Sequence, residues 1–197
     1  MRTLFIGDVH GCSSELADLI DTSNPTRIIL LGDLFTKGPD PAGVWDIITQ
    51  TGAVSVLGNH DAFVLRRWRL RGQRLAPPDA IDWLATLPLT LAGPGWLAVH
   101  AGLPPSGDLR ALTPDIATTV RRWPDDSDPA QPFWWETYTG PGLVIYGHDA
   151  RRQLVDQRPR TLGLDTGCVY GKSLTGYLLE ADQILSVPAR DTYCPIR

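Results

Sequence analysis

Apolar residues gather in five short runs, at 3–6, 27–31, 53–57, 96–99 and 143–146. Runs this short, closed by glycine and polar residues, predict buried strands. Helical spacing fills the gaps between the first three. Ser13 or Ser14 is placed to cap a helix with Leu16, Leu19 and Ile20 on one face. Residues 41 to 51 put Val44, Ile47 and Ile48 on one stripe. Residues 62 to 71 carry Phe63, Val64, Trp68 and Leu70 in a more ragged one. Strand alternating with helix predicts an α/β fold. Beyond Leu143 the pattern turns to strands alone, at 161–164, 174–180 and 183–187. Glycine and proline number 19 and 17, so the elements are short and the loops many. A length of 197 residues predicts one domain, 1–197, with an exposed loop insertion at 122–132 that reads RWPDDSDPAQP.

What ends each run tells more than the run itself. The first passes into Gly7-Asp8-Val9-His10, the second into Gly32-Asp33 and the third into Gly58-Asn59-His60-Asp61. The fourth meets His100-Ala101-Gly102 and the fifth Gly147-His148. The four histidines of the chain all sit at these ends. A lone histidine is most simply a satisfied core or surface residue, but four at the ends of separate strands need another explanation. Open α/β sheets hold ligands beyond the carboxyl ends of their strands, so the five clusters are expected to converge on one edge. Asp8, His10, Asp33, Asn59, His100 and His148 offer carboxylate, amide and imidazole without thiolate, a set that suits Mn²⁺, Fe or Zn²⁺. Six ligands are too many for one catalytic ion with an open position. They suit two ions about 3.5–4 Å apart that share a carboxylate. Such a pair acidifies the solvent between the ions and neutralises charge on transferring phosphoryl oxygens.

Composition narrows the partners. Eighteen Lys+Arg against 22 Asp+Glu leave a net charge of −4, which argues against DNA or an anionic membrane as partner. No apolar run approaches the roughly 20 residues that span a bilayer. The stretch after Met1 is too short for a signal peptide. Cys12, Cys168 and Cys194 are odd in number and lack C-x-x-C spacing. That argues against a disulfide framework or a zinc knuckle and for a cytoplasmic protein.

Taken in order, G-D-V-H-G (7–11), G-D-L-F-T-K-G (32–38), G-N-H-D (58–61), H-A-G (100–102) and G-H (147–148) resemble the motifs of the calcineurin-like metallophosphoesterases. The resemblance covers residues 4 to about 180 and is closest to the phosphoprotein-phosphatase branch. That branch holds bacterial serine/threonine phosphatases and symmetrical diadenosine tetraphosphate hydrolases. L-D-T-G-C-V-Y-G at 164–171 and V-H-A-G-L-P-P at 99–105 look like the latter. The resemblance implies a two-sheet α/β/β/α sandwich. It also implies hydrolysis of phosphoanhydride or phosphomonoester bonds by a hydroxide held on two divalent ions. Mn²⁺ is expected, with Fe, Zn or Co as alternatives. Asp8 and His10 would hold the first ion, Asp33 would bridge, and Asn59, His100 and His148 would complete the second. His60 would act as general acid, oriented by Asp61, and Lys37 would bind phosphate. The expected substrate is diadenosine tetraphosphate, cleaved to ADP, and/or phosphoprotein. A small phosphomonoester, a protein phosphatase without dinucleotide activity and an inactive metal-binding module are the alternatives.

Some residues depart from the family or read two ways. Lys37 stands where the family usually has Arg, and it lacks the bidentate fork. Thr36 stands where protein phosphatases have Asp, and Asp149 where close relatives often have Thr. Arg151 and Arg152, with Asn59, are candidates for substrate phosphate. Arg66, Arg67, Arg69, Arg71 and Arg74 read as a solvated helix face or as a funnel for anions. Trp123, Trp134 and Trp135 read as core, unless one faces the cleft and stacks a nucleobase. Cys12 and Cys168 are read as structural.

Overall fold

The computed structural model describes residues 1–72 and 75–195. Alternation along the strands sets the layers. In β1 (Thr3–Ile6) and β2 (Arg27–Leu30), Leu4, Ile6, Ile28 and Leu30 face one side while Phe5 and Ile29 face the other, and all six are buried. A sheet apolar on both faces must be covered on both. With β3 (Val54–Ser55), β9 (Ser173–Leu178) and β10 (Gln183–Pro188), these strands form a sheet of order β10-β9-β1-β2-β3. β1, β2 and β3 run parallel; β9 is antiparallel to β1, and β10 to β9. The second sheet is built from β4 (Thr90–Gly93), β5 (Trp96–Val99), β6 (Leu143–Tyr146), β7 (Val155–Gln157) and β8 (Thr161–Gly163). Its order is β4-β5-β6-β8-β7, with parallel β5, β6 and β8 inside two antiparallel edges.

The two sheets meet through Phe5, Ile29, Leu31 and Val56 on one side and Trp96, Ala98, Ile145 and Leu162 on the other. The outer face of the first sheet is covered by α1 (Ser13–Ser23), α2 (Pro41–Thr51), α3 (Asn59–Arg71) and α4 (Pro78–Leu84), through Leu16, Leu19, Val44, Ile48, Val64 and Ile81. The outer face of the second carries α5 (Pro114–Thr119) and a turn at 134–136 whose Trp134 packs edge-on to Tyr146. The architecture is the expected α/β/β/α sandwich.

Several local features differ from the sequence reading. The strand expected at 53–57 shortens to two residues. The helix expected from 62 begins at Asn59, because the Asp61 carboxylate accepts from Gly58 N–H (3.1 Å) and closes a turn earlier. Neither Ser13 nor Ser14 caps α1. Cys12 holds that position without a side-chain capping bond, and Ser13 Oγ donates to Asp40 Oδ2 (2.7 Å). Asp40 Oδ1 in turn caps α2 through Gly43 N–H (2.9 Å). β4 and β7 escape the apolar pattern because they are short and lie at the sheet edges, and α4 and α5 because they are only 7 and 6 residues long. The segment 122–132 is a largely exposed loop, gathered by Asp126 Oδ1, which accepts from the N–H of Arg121 and of Arg122 (2.6 Å each). Trp134 and Trp135 are core, at 0% and 4% exposure, and present no face for a nucleobase; Trp123 packs half-buried against the same cluster.

Candidate active site

The parallel strands of both sheets end on one edge of the sandwich, and the loops there carry the functional side chains. His10, Asp33, Lys37 and His148 have φ of 46°, 56°, 69° and 76°, a region that side-chain-bearing residues seldom adopt. Such strain persists where surrounding bonds over-determine it. Backbone and side chain also approach closely. A Cβ at Gly58 would overlap Asp33 Oδ1, and one at Gly147 would overlap Asp8 Oδ1.

Asp33 sits at the centre. Its Oδ2 lies 3.5 Å from His10 Nε2 and its Oδ1 lies 3.6 Å from His100 Nε2, so each oxygen faces a different half of the site. Asp8 Oδ2 is 3.9 Å from His10 Nε2, while Asp8 Oδ1 accepts from the His148 N–H (2.9 Å). Donor atoms of Asp8, Asp33 and His100 lie within 4.8 Å of one another, as do those of His10, Asp33 and His60. Asp33 belongs to both groups.

Fixed partners decide where each imidazole keeps its proton. A carbonyl only accepts, so His100 Nδ1 donates to Leu31 O (2.6 Å) and His148 Nε2 donates to Thr119 O (3.0 Å). The nitrogens left over, His100 Nε2 and His148 Nδ1, both face Asn59 Oδ1, at 2.9 and 3.1 Å. His10 follows the same logic. An ammonium only donates, so His10 Nε2, 3.2 Å from Lys37 Nζ, is bare, and Nδ1 donates to Thr36 Oγ1 (3.1 Å). Burial lowers His10 to about 3 and lowers His148 well below the ordinary imidazole value, so both stay neutral. Burial, with Asp165 and Asp33 alongside, raises Asp8 well above the usual carboxylate range. Crowded buried carboxylates beside neutral imidazoles with inward lone pairs fit divalent cations, and the fixed proton positions fit ligands held ready for them.

The calcineurin-like phosphoesterase family pattern matches residues 1–165. The chain belongs to that family. It is 28% identical to the symmetrical bis(5'-nucleosyl)-tetraphosphatase of Aromatoleum aromaticum, over 96% of this chain and 97% of that protein. A solved structure provisionally assigned as a diadenosine tetraphosphatase superposes with a TM-score of 0.89 at 34% identity, covering 96% of this chain and 94% of its own. A protein serine/threonine phosphatase from Saccharomyces cerevisiae shares the fold alone, with a TM-score of 0.54 at 13% identity over 97% of this chain and 80% of that one. Membership makes this chain a phosphoesterase: a hydrolase of phosphoester or phosphoanhydride bonds that uses divalent metal ions.

The phosphoesterase site opens into a cavity of about 540 Å³. His60 lines it, edge-on to His10 with ring centroids 5.0 Å apart, and its backbone N–H donates to Asp33 Oδ1 (2.8 Å). Among the described residues its ring makes no hydrogen bond. Burial, with Lys37 and His100 nearby, holds it below the ordinary imidazole value despite Asp33. Asp61 does not orient that ring. Its carboxylate is fully buried and accepts from the N–H of Asp33 (2.8 Å), Leu34 (3.0 Å) and Gly58 (3.1 Å). Its place in the first turn of α3 aims it at the loop after β2 instead of at the cavity. Burial and then Asp33 push it up to about 6.

Lys37, held by Tyr170 Oη (2.9 Å), lines the cavity together with Arg121 and Arg151. Arg152 does not; its guanidinium sits 4.2 Å over the Phe133 ring. Asp149 is buried with Oδ1 4.0 Å from Arg121 Nε, which gives this unusual residue a partner on the rim. Arg66 and Arg67 lie against Phe63 and Arg69 is exposed, and none of the three lines the cavity. The Arg71 side chain and Arg74 lie outside the described residues. Sequence reading missed Asp165, Arg121 and Tyr170 as cavity residues. Asp165 comes directly after the run at 161–164, so the strand-end rule that marked Asp33 would have found it. Its Oδ1 accepts from Gly167 N–H (3.0 Å), and burial pushes it up to about 6. No comparable signal marks Arg121.

Proposed function

We propose that the chain hydrolyses a dinucleoside polyphosphate, diadenosine tetraphosphate first, cleaving it symmetrically to two ADP. The observation that carries this reading is the pairing of floor and rim. A carboxylate–imidazole cluster forms the base of a cavity that Lys37, seated against His10, half-buried Arg121 and exposed Arg151 also line. That is charge enough for a chain of phosphates, where a single phosphate would need less. The names of the relative from Aromatoleum aromaticum and of the neighbouring solved structure support it. A second reading, a phosphatase tolerant of phosphopeptides or small phosphomonoesters, is favoured by size. The alignment with that relative spans 267 positions against 197 residues here, so at least 70 positions have no counterpart in this chain. A shorter chain has less with which to cover the cleft.

In this reading Asp8 and His10 would hold one ion and Asn59, His100 and His148 the other, with Asp33 shared between the two groups. A bound pair of divalent ions, for which we expect Mn²⁺, supplies charge neutralisation and an acidified water. The carbonyls of Leu31 and Thr119 and the hydroxyl of Thr36 keep the ring lone pairs turned inward. Lys37, Arg121 and Arg151 draw the phosphate chain onto the floor, and Asn59 meets it there. His60, its ring free in the cavity, holds the proton that the leaving oxygen takes up. Asp61 acts as a positioning residue. It ties the loop that carries Asp33 to the helix that carries His60, so the two keep one register. We assign the enzyme to the cytoplasm, where its thiols stay reduced.

The test is a parallel assay, with added Mn²⁺, of diadenosine tetraphosphate, a phosphopeptide and p-nitrophenyl phosphate. ADP as sole product of the first, at the highest kcat/KM of the three, is expected. Production of AMP and ATP, or preference for the phosphopeptide, would overturn the reading.

A further inference from the structure

Behind the active site, on the helix side of the first sheet, three side chains converge that the chemistry above leaves unused. Cys12, Glu15 and Cys168 are 0%, 0% and 1% exposed, and their donor atoms lie within 4.8 Å of one another. Cys12 Sγ donates to the His10 carbonyl (3.9 Å), with the Cys168 thiol beside it. Glu15 is divided in its duties. Its Oε1 accepts from the Arg190 N–H and the Tyr193 O–H, each at 2.8 Å. Its Oε2 is buried without a hydrogen-bond partner. Glu15 is in no ion pair among the described residues, because the Arg190 guanidinium turns instead to Asp18 (2.7 Å). A buried carboxylate oxygen without a donor is costly, and buried charges are as a rule paired or bound to metal.

We propose that Cys12, Glu15 and Cys168 form a second, closed metal site that takes a thiophilic divalent cation, Zn²⁺, separate from the active site. Two sulfurs and a carboxylate oxygen are three of the four donors of a tetrahedral structural site. The Tyr193 hydroxyl, which donates to Glu15 Oε1 (2.8 Å), would hold that carboxylate in place. Each thiol releases its proton to solvent as its sulfur–metal bond forms, so two protons leave per ion bound. The two sites sort metals by softness: the active-site ligands offer nitrogen and oxygen, this one sulfur. Its position gives it work to do. Cys12 stands two residues after His10 and at the start of α1, and Cys168 stands three residues after Asp165. Glu15 holds the segment at 190–193. One ion would therefore join three segments that wall the active site.

Co²⁺ as a spectroscopic probe tests this on the intact protein. Protein saturated with Mn²⁺ in a non-chelating phosphine reductant is titrated with Co²⁺. The expected result is a sulfur-to-cobalt charge-transfer band that saturates at one equivalent. Cys194 lines the active-site cavity, so Cys194→Ser makes that site free of sulfur and must leave the band intact. Cys12→Ser and Cys168→Ser should abolish it, and Glu15→Gln should weaken Co²⁺ binding at least about tenfold. A wild-type protein without the band, or a band lost in Cys194→Ser, overturns the proposal. If Cys12→Ser or Cys168→Ser fails to fold, the wild type and Cys194→Ser decide it between them.

Discussion

The floor and the rim of one cavity are held to different standards. On the floor, Asp8, His10, Asp33 and His100 are at most 4% exposed, and each is turned by a fixed partner: the His148 N–H, Thr36, the His60 N–H and the Leu31 carbonyl. On the rim, Arg151 is exposed, and the guanidinium of half-buried Arg121 has its nearest carboxylates, Asp149 and Asp126, both at 4.0 Å. The contrast follows from what each part must do. Metal ligands work only when placed to within fractions of an ångström, which requires locked rotamers. A cation that attracts a polyphosphate acts over several ångströms and tolerates motion.

Mutations should separate the two parts by size of effect. Asp33→Ala faces both halves of the floor at once. It should remove bound metal and lower kcat beyond the roughly 10³-fold ceiling of a lost oxyanion donor; metal analysis beside steady-state kinetics reads both. His60→Asn should keep the metal and lower kcat by about 10²–10⁴-fold. The sign of its pH dependence is fixed: a ring held below the ordinary imidazole value loses its proton as pH rises, so activity carried by the acid falls on the alkaline side. That limb should vanish in the mutant, and unchanged turnover would refute the role. Thr36→Val removes the acceptor that turns His10, and should weaken Mn²⁺ about 10–100-fold by isothermal titration while leaving the fold intact. Acid should act in the same direction as Thr36→Val. Burial and the neighbouring Asp165 and Asp33 raise Asp8 well above the usual carboxylate range, so protons compete with metal for it at higher pH than for an ordinary carboxylate. Mn²⁺ affinity should drop by up to about tenfold per pH unit for each proton displaced. His10, at about 3, takes no part in this competition. Arg121→Ala belongs to the rim and should have the smallest effect, a rise in KM of about three- to tenfold with kcat nearly unchanged. A kcat loss at Arg121 as large as that at His60 would erase the distinction between rim and floor.

The same contrast explains what could be read before the structure was known. Four of the five apolar runs pass into glycine and then a polar residue because a tight turn and close backbone approach need both, and that pairing is visible in one dimension. β1, β5 and β6 were legible to the residue for a related reason: their apolar runs are buried on both faces. What stayed hidden depends on three-dimensional aim. Asp61 is adjacent to His60, yet helix geometry points its carboxylate away from the ring and into the backbone of the neighbouring loop. Arg151 and Arg152 are alike in sequence, but one reaches the cavity and the other settles on Phe133. Arg121 comes from a segment without periodicity, so nothing local announces it. Thr36, read as a missing carboxylate, supplies the acceptor that sets the His10 proton.

The side chains of the floor come from both sheets. Asp8 follows a strand of the first and receives its hydrogen bond from His148, which follows a strand of the second; His100 of the second donates to Leu31 of the first. The catalytic edge is therefore also the stitching that keeps the halves of the sandwich together, and ions seated there would rivet it. Ligand held at a hundred times its Kd adds about 2.7 kcal/mol to folding. If the proposed ions bind there, a chelator is expected to lower the melting temperature as well as the turnover, both following metal occupancy.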